Sequence, residues 1–328
     1  MKYNLTVAII GSGYMGKRHI AVLKDLVETV ILCSADEEGG KALADEYDCK
    51  FYNNYIEMFE NETLDFVSVC LPTHLHYQAV MKAFECGINV LCEKPFATSD
   101  TQAKEMVEAA EAKNLMLMIG HVLRFDKKYE YLKRCIEDKR FGKLVSLDLF
   151  RHTVMPSWSV DNWLADISHS GGALGDFHVH DTDMVINLLG MPKSVCTTGS
   201  ALSCQTIYRY DGNVAVSASA SWRAAKKFPF AAGYDAVFET ACVKFDNCNG
   251  VALYTMDSAS NPLEDEAFSE FFESNAPIEN EIKYFCHCLV NNLQPSLCHP
   301  SDSLRTMIIN CAEAESLKNK TEKEIVEF

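Results

Sequence analysis

The sequence predicts an α/β protein whose first 120 residues form a doubly wound parallel sheet. Three observations support this fold class: short apolar runs alternate with amphipathic segments, the connections between them are short, and a glycine-rich turn follows the first apolar run. The alternation ends near Gly120. We therefore expect a first domain at residues 1–121 and a second at 122–328.

The first predicted strand and the turn after it carry the strongest local signal. Val7 to Ile10 is an unbroken apolar run, which is typical of a parallel strand buried on both faces. Gly11, Gly13 and Gly16 follow in GxGxxG spacing. These glycines would allow a tight turn, the close approach of a pyrophosphate, and close packing of the following helix. Glycine-rich turns between a strand and a helix also occur without a ligand, so the motif alone leaves both interpretations open.

The other elements of the first domain follow from the same alternation. The predicted strands are Leu5–Ile10, Thr29–Ser34, Phe66–Leu71, Asn89–Glu93 and Leu115–Ile119. The predicted helices are 15–27, 37–47, 74–86 and 99–113, the last with Ser99 as its N-cap. Ligands of such sheets bind beyond the carboxyl ends of the strands, so the residues that follow each strand are the first candidates for a site.

Three of these strand ends carry polar residues. Ser34 stands where an acidic residue often binds the ribose of NAD, and Asp36 follows two positions later. No arginine follows to bind a 2′-phosphate, so NAD and NADP both remain open, with a slight preference for NAD. The third strand leads into Leu71-Pro-Thr-His-Leu-His76 and the fourth into Glu93-Lys-Pro95. Because proline fixes φ, Lys94 would be held in a defined place, although a solvated lysine in a surface turn fits as well.

The second domain is predicted as a mixture of strands and helices. The predicted helices are Lys127–Asp138, Asn280–Asn291 and Ser301–Lys318, with Ser301 as an N-cap. The predicted strands are Leu144–His152, Thr206–Tyr210, Val214–Trp222, Ala236–Thr240 and Ala241–Phe245. Asp211-Gly-Asn213 is typical of a hairpin turn. In the second arm of this hairpin apolar residues alternate with small, weakly polar ones, which leaves one sheet face available to a partner subunit.

The stretch from Ser170 to Gly190 is the most informative part of the second half. Its later part has helical periodicity, which ends at Gly190 and Pro192. On a helix Asp176 and His180 share a face, whereas His178 points elsewhere. A carboxylate beside an imidazole orients the ring and raises its basicity, as a general base requires. A metal site using His178 and His180, or a buried structural histidine, are the alternatives.

Composition excludes several classes of partner. The chain has 46 acidic and 30 basic residues and a net charge of −16, which opposes binding to nucleic acids and to anionic membrane surfaces. No apolar run approaches the roughly 20 residues of a membrane span. Met1 to Leu5 runs straight into the first strand, so we expect no signal peptide. The fourteen cysteines include no CxxC pair, and Cys286-His-Cys288 has a poor spacing for metal ligation on a helix, so we expect a cytoplasmic protein without a metal.

The motifs together resemble the Gfo/Idh/MocA family, named for glucose–fructose oxidoreductase and inositol dehydrogenase. The resemblance covers nearly the whole chain and rests on the order and spacing of several segments. They are Gly11–Gly16, Leu71–His76, Glu93–Pro95, Gly171–Asp176 with His180 and Asp183, Pro300–Leu304, and Ala314–Ser316. It implies an N-terminal Rossmann domain and a C-terminal α/β domain with an open, mostly antiparallel sheet. It also implies a homodimer or homotetramer formed through that sheet.

The resemblance assigns roles to individual residues. It implies that Lys94 holds the reacting hydroxyl, that His180 accepts its proton, and that Asp176 supports both. The expected cofactor contacts are Gly11, Ser12, Gly13, Tyr14, Met15, Ser34, Asp36, Leu71, Pro72, Thr73, His74, His76, Glu93 and Lys94. The expected substrate contacts are Lys94, His121, Arg124, Trp163, Asp176 and His180.

One departure from the family pattern and one loop near the expected pocket affect these expectations. His178 stands where many members have glycine, so the wall of the pocket can differ. The loop at 152–170 carries Trp158 and Trp163, and an indole there would either stack on a sugar ring or anchor the loop.

These residues favour an NAD(P)-dependent dehydrogenase acting on a secondary alcohol of a sugar, a sugar derivative or a cyclitol. Two alternatives keep the same fold. One is a sensor that binds a dinucleotide and catalyses nothing, and the other is glycoside cleavage that uses transient oxidation. The loops that would form the pocket do not identify the substrate.

Overall fold

The structure is a computed structural model that describes residues 2–157 and 159–326, without the side chains of residues 160 and 161. The chain divides into two compact units. The first unit contains residues up to Val122, a short segment that ends at Trp163, and Ala276–Leu304. The second contains Leu123–Ser157, Leu164–Asn275 and the residues from Arg305 onward.

The first unit is built on a parallel sheet of six strands in the described residues, in the order β3-β2-β1-β4-β5-β6. The strands are β1 (Tyr3–Ile10), β2 (Val27–Cys33), β3 (Lys50–Tyr52), β4 (Phe66–Val69), β5 (Asn89–Glu93) and β6 (Leu117–Gly120). The helices are α1 (Tyr14–Leu26), α2 (Glu37–Glu46), α3 (Tyr55–Asn61), α4 (His76–Glu85) and α5 (Asp100–Lys113). The strand order changes direction between β1 and β4, which is where doubly wound sheets bind ligands.

The sequence predicted the five longer strands of this sheet and four of the five helices that connect its strands. It missed β3 and α3, which are only three and seven residues long. Neither has the repeated apolar spacing that identifies a longer element. Asn54 nevertheless caps α3 in the expected way, because its side chain accepts a hydrogen bond from the Ile56 N–H. Ser99 likewise caps α5 by accepting from the Gln102 N–H, as predicted.

The second unit contains a mixed sheet of nine strands in the described residues, in the order β14-β13-β12-β11-β7-β10-β9-β8-β15. All neighbouring strands are antiparallel except β7 and β10. The strands are β7 (Leu144–His152), β8 (Ser194–Ser200), β9 (Ser203–Arg209), β10 (Ala215–Ser221), β11 (Ala231–Phe238), β12 (Cys242–Asp246), β13 (Gly250–Tyr254), β14 (Ala259–Ser260) and β15 (Lys323–Glu324). The open, mostly antiparallel sheet is therefore confirmed.

The remaining helices of the chain are α6 (Lys127–Glu137), α7 (Ile167–Ser170), α8 (Val179–Leu189), α9 (Pro277–Val290) and α10 (Pro300–Asn319). The predicted N-cap at Ser301 is wrong, because α10 already begins at Pro300 and Ser301 lies inside it. The Ser301 hydroxyl instead lies 2.7 Å from the Nδ1 atom of His299. Proline suits the first position of a helix because that position needs no N–H donor.

The predicted hairpin is confirmed in β9 and β10. These strands pair antiparallel, with Val216 opposite Tyr208, and Gly212 has a φ of +87° in the connecting turn. Along β10 the residues alternate between buried and partly or fully exposed, as the pattern predicts. The strand predicted at 236–240 begins five residues earlier and ends at Phe238. Its start was missed because Ala231-Ala-Gly-Tyr-Asp lacks the β-branched residues that indicate strands.

Two further features of the chain are the state of its cysteines and the character of its helices. All fourteen cysteines are free thiols, and eight of them are buried. None of the helices in the described part of the chain combines the length and the apolar character that a bilayer crossing requires.

Candidate active site

The glycine turn between β1 and α1 has the geometry that the sequence predicted. Gly11 has a φ of +113°, and a Cβ there would lie 2.4 Å from the carbonyl oxygen of Cys70. A Cβ on Gly16 would lie 1.9 Å from the carbonyl oxygen of Gly11, so the helix packs on the turn only with glycine. At Gly13 a Cβ would meet no described atom within 4 Å. The turn therefore leaves open space in front of Gly13, at the N-terminus of α1, where a phosphate group is favoured.

The end of β2 is tied to this turn by two serines. The Ser12 and Ser34 hydroxyls lie 2.7 Å apart, and the Asp36 N–H donates to the Ser34 hydroxyl at 3.2 Å. The Asp36 carboxylate caps α2, because it accepts a hydrogen bond from the Gly39 N–H at 3.0 Å. Glu37 and Glu38 occupy the first turn of the same helix. The end of β2 therefore presents negative charge.

His76 connects the loops that follow β4 and β5. Its ring is fully buried, with Nδ1 2.9 Å from the Pro95 carbonyl oxygen and Nε2 2.8 Å from the Leu71 carbonyl oxygen. Both partners accept hydrogen bonds, so an imidazolium would donate to both and a neutral ring to one. His76 was predicted to contact the cofactor through its place in the motif. Its side chain holds the two loops together, and the cofactor contact stays a prediction.

Lys94 follows β5 at the carboxyl edge of the sheet. The residue is partly exposed between the buried Glu93 and Pro95, and the Lys94–Pro95 peptide bond is cis. The Glu93 carboxylate accepts a hydrogen bond from the Lys94 N–H at 3.3 Å. Glu93 was predicted to contact the cofactor, and the structure shows that it also fixes the backbone of Lys94.

The carboxylate of Glu93 is paired with a buried histidine that sequence reasoning missed. His19, on α1, lies with Nε2 2.9 Å from Glu93 Oε1 and with Nδ1 2.7 Å from the Ser68 hydroxyl. Burial opposes the charge on His19, but the interactions with Cys70 and Glu93 outweigh it and raise the pKa of His19 well above 6.5. Burial likewise opposes the charge on Glu93, and the bond to His19 lowers its pKa below 4.5. The pair is therefore ionic.

The loop after β4 reaches a residue from a later part of the chain. The rings of His74 and Trp163 have centroids 6.4 Å apart and planes inclined by 64°. Thus a predicted cofactor contact and a predicted substrate contact lie together in the first unit. His121, another predicted substrate contact, is only 2% exposed directly after β6. The prediction for Trp158 lies outside the described residues.

In the second unit Asp176 lies in a π-turn, not in the α-helix that the spacing predicted. The π-turn spans Ala173–Phe177, and α8 begins only at Val179. The His178 N–H donates to the Ala173 carbonyl at 2.7 Å, five residues back. Asp176 therefore belongs to the π-turn and His180 to the first turn of α8, so the single α-helix expected for both residues is wrong, and their pairing stays a prediction. Both side chains are partly exposed.

His180 is held by its neighbours on α8. Asp181 and Asp183, one and three residues after it, are buried, and each binds an arginine through two hydrogen bonds of 2.8–3.0 Å. Arg151 pairs with Asp181, and Arg124 pairs with Asp183. These pairs anchor the turn of α8 that directly follows His180. Arg124 was predicted to contact substrate, but its guanidinium is 2% exposed and binds Asp183.

His178 lies in the interior of the second unit. The ring is fully buried, and Nε2 lies 3.2 Å from the Thr206 hydroxyl, 3.3 Å from the Tyr208 hydroxyl and 3.4 Å from Glu313. Burial lowers the pKa of His178, but the charge of Glu313 outweighs it and the pKa is raised above 6.5. This outcome is the buried structural histidine, although its surroundings are ionic.

The arrangement can support chemistry on a hydroxyl group. The first unit offers a nucleotide turn and a fixed lysine, and the second offers a partly exposed imidazole with a carboxylate four residues earlier. An ammonium group stabilises developing negative charge, and an imidazole can accept a proton. In the described residues no cluster of three or more His, Cys, Asp or Glu side chains could hold a metal ion.

Two family models match the chain. Residues 5–121 match the oxidoreductase family with an NAD-binding Rossmann fold, and residues 129–232 match the Gfo/Idh/MocA C-terminal domain. Together the two models cover more than half of the chain, and the matched ranges include Lys94, Asp176 and His180.

Similar curated proteins act on sugars according to their names. The chain is 34% identical over 203 residues to 2,7-anhydro-N-acetylneuraminate hydratase of Mediterraneibacter gnavus, a match covering 60% of this chain and 53% of that protein. It is 30% identical over 210 residues to levoglucosan dehydrogenase of Pseudarthrobacter phenanthrenivorans, covering 57% and 52%. It is 30% identical over 200 residues to D-glucoside 3-dehydrogenase of Escherichia coli, covering 58% and 56%. The matches thus span about half the length of these relatives.

Solved structures share the whole fold. A levoglucosan dehydrogenase in complex with NADH and levoglucosan superposes with a TM-score of 0.87 at 19% identity, covering 99% of this chain and 100% of that one. The myo-inositol 2-dehydrogenase of Lactobacillus plantarum gives a TM-score of 0.84 at 20% identity, with coverage of 99% and 100%. With both domain models matched in order and the fold shared end to end, the chain belongs to the Gfo/Idh/MocA family of oxidoreductases.

Proposed function

We propose that this protein is an NAD-dependent dehydrogenase that oxidises a secondary alcohol of a sugar, a sugar derivative or a cyclitol. The observation that carries the proposal is the placement of Lys94. It is partly exposed at the carboxyl edge of the parallel sheet, and its backbone is fixed by Glu93. The names of the levoglucosan and glucoside dehydrogenases among its relatives support this substrate class.

Residues of the first unit would hold the cofactor. Gly11 to Met15 would seat its pyrophosphate, and the open space in front of Gly13 fits that group. Leu71 to His74 and Glu93 to Lys94 would lie along its nicotinamide half. Asp36, Glu37 and Glu38 favour NAD over NADP, since a 2′-phosphate would meet negative charge. We expect the dissociation constant of NADPH to exceed that of NADH, which fluorescence titration measures.

The chain's own residues would handle the substrate hydroxyl. NAD, when bound, supplies the hydride acceptor. The His180 imidazole takes the hydroxyl proton, the Lys94 ammonium stabilises the negative charge that develops on that oxygen, and Asp176 orients the substrate and the imidazole. We propose residues 1–121 as the cofactor domain and 122–328 as the substrate domain.

Substitution of the proposed base tests this function. General-base catalysis contributes about 10²–10⁴ in rate, so His180→Ala should lower kcat at least about a hundredfold with any substrate that a sugar and cyclitol panel identifies. The dissociation constant of NADH should change little. Near wild-type turnover by the variant would refute the role of His180. Cofactor binding without turnover of any substrate would favour the sensor instead.

A second candidate is supported by one relative. The 34% identical protein of Mediterraneibacter gnavus is named a hydratase of an anhydro sugar, and one of the same name occurs in Escherichia coli at 28% identity. Addition or elimination assisted by transient oxidation returns the hydride in each cycle. A dehydrogenase accumulates NADH during turnover, whereas such an enzyme converts substrate without net NADH, and absorbance together with product analysis distinguishes the two.

We also propose that the second sheet mediates self-association. Ile207 is 43% exposed and Val145 is 46% exposed on strands that flank β10, where the serines at 217 and 219 are partly exposed. This weakly polar face suits a second copy of the chain. Light scattering should give a dimer or tetramer, and Ile207→Lys should shift it toward monomer.

A further inference from the structure

The π-turn that carries Asp176 has a consequence for one backbone carbonyl. In an uninterrupted α-helix the His178 N–H would donate to the Leu174 carbonyl, four residues back. Here it donates to Ala173, so the Leu174 carbonyl loses its helical partner. A buried carbonyl needs another donor, because leaving it unsatisfied costs about 1–3 kcal/mol. The partner of Leu174 therefore decides whether the π-turn is stable.

That partner is a side chain on α10. The Asn310 amide donates to the Leu174 carbonyl at 3.0 Å and to Glu313 Oε2 at 3.1 Å, and so uses both of its N–H groups. Asn310 is 5% exposed and Glu313 is fully buried. The orientation of the amide is fixed, since both of its partners are acceptors.

Glu313 in turn collects donors from the elements around the π-turn. It accepts from the Tyr208 hydroxyl at 2.6 Å on β9 and from the Thr182 hydroxyl at 3.1 Å on α8. The His178 imidazole lies 3.4 Å away. The backbone and the side chain of His178 are thus both held, because its N–H closes the π-turn and its ring faces Glu313. A buried carboxylate with this many donors is held in one position.

We infer that His178, Asn310 and Glu313 form a buried brace that fixes the π-turn and thereby sets the position of the Asp176 carboxylate. The three are positioning residues, which do not touch the substrate themselves. The brace holds the Leu174 carbonyl and the His178 backbone on either side of Asp176, and with them the backbone that carries the Asp176 carboxylate. The inference rests on the proposed function only in that Asp176 is taken to act on the substrate.

A double-mutant cycle separates positioning from simple stabilisation. The variants are His178→Ala, His178→Gln and Asp176→Asn, together with the pair His178→Ala/Asp176→Asn. Tyr210→Phe is the matched control, because the Tyr210 hydroxyl donates to the Gly190 carbonyl at 2.8 Å and so supports the other end of α8. kcat and KM are measured with the best substrate of the panel. The dissociation constant of NADH and the melting temperature are measured for each variant.

If His178 acts by positioning Asp176, the loss of kcat in His178→Ala should depend on the presence of Asp176. A misplaced catalytic group costs up to about 100-fold in rate, so His178→Ala should lower kcat about 10- to 100-fold while NADH binding is retained. Glutamine offers an N–H to Glu313 and should recover most of the loss. In the Asp176→Asn background His178→Ala should add less than about twofold, because coupled residues are not additive. Tyr210→Phe should leave kcat unchanged.

Other outcomes overturn the inference. If His178→Ala lowers the melting temperature but leaves kcat unchanged, or if its loss is additive with Asp176→Asn, the histidine is only structural. If Asp176→Asn retains wild-type kcat, the assigned role of Asp176 in the proposed function fails, and the Asp176→Asn variant alone identifies this case. If His178→Ala does not fold, Tyr208→Phe removes one donor of Glu313 and should show the same dependence on Asp176 at smaller size.

Discussion

Each unit of the protein contains a buried histidine–glutamate pair next to a residue of the proposed site, but the two pairs are built differently. His19 and Glu93 lie 2.9 Å apart, and the other oxygen of Glu93 accepts the Lys94 N–H. His178 and Glu313 lie 3.4 Å apart, and Glu313 also accepts from three neutral side chains, those of Tyr208, Thr182 and Asn310.

The difference shows which partner each pair depends on. In the described part of the chain, His19 is the side chain that hydrogen-bonds to Glu93, and the charge of Lys94 contributes less, so the histidine is the main cationic partner there. In the second unit Glu313 is the shared acceptor, and the loss of His178 leaves it three other donors. The first pair should therefore be sensitive to loss of its histidine, and the second to loss of its carboxylate.

The largest effect should come from Glu313→Ala. It leaves four buried donors without their acceptor, and breaking a buried ionic network costs about 3–5 kcal/mol. We expect a loss at the upper end of this range, greater than that of Glu93→Ala, in urea unfolding followed by circular dichroism. A smaller loss for Glu313→Ala than for Glu93→Ala would contradict the comparison.

When the histidines are removed, the larger loss of stability should occur in the first unit and the smaller loss in the second. His19→Ala leaves Glu93 as a buried carboxylate with one backbone donor, which should cost about 3 kcal/mol. His178→Ala leaves Glu313 with its neutral donors and should cost about half as much. The same unfolding experiment measures both variants, and equal losses would mean that the two pairs are equivalent.

The pH dependence should identify the charge of the first pair. The folded pKa of His19 is raised above 6.5, so its stabilisation is complete below pH 6.5 and is lost as the pH rises through the folded value. The folded pKa of Glu93 is lowered, so its part is complete above pH 4.5 and is lost as the pH falls through the folded value. The stability difference between wild type and His19→Gln should therefore be largest between pH 4.5 and 6.5. A difference that does not vary with pH would show that the pair is neutral.

The smallest effect should come from removing the hydroxyl groups that contact the two histidine rings. Ser68 lies 2.7 Å from His19 Nδ1, and Thr206 lies 3.2 Å from His178 Nε2. Ser68→Ala removes the hydrogen bond to His19, and Thr206→Val removes those to His178 and to the Thr197 hydroxyl. A hydrogen bond is worth about 1 kcal/mol, so both losses should be about 1–2 kcal/mol. Similar losses in thermal unfolding would show that the pairs differ through their carboxylates. A loss of several kcal/mol in one variant alone would locate the difference in the hydroxyls.

Most of the first sheet and the five central strands of the second could be predicted because they depend on local patterns, whereas β8, β13, β14 and β15 were missed. Apolar runs, glycine spacing and hairpin residues indicated β1, the turn at Gly11 to Gly16, and the pairing of β9 with β10. Elements as short as β3 and α3 could not be found, since three to seven residues do not establish a period. The π-turn was missed for a different reason. Its hydrogen bond differs by one residue from that of an α-helix, and the side chain that stabilises it is Asn310, 136 residues away from Leu174.

The sequence by itself determined the fold class and the family, and it placed Lys94, Asp176 and His180 in motifs typical of hydride-transfer enzymes. The buried partners were decided only by the tertiary structure: Glu93 with His19, Asp183 with Arg124, and Glu313 with His178 are separated by 59 to 135 residues. The physical reason is that a charge leaves water only when folding brings it an opposite charge or several donors. Such partners come from different elements, so their spacing along the chain carries no signal.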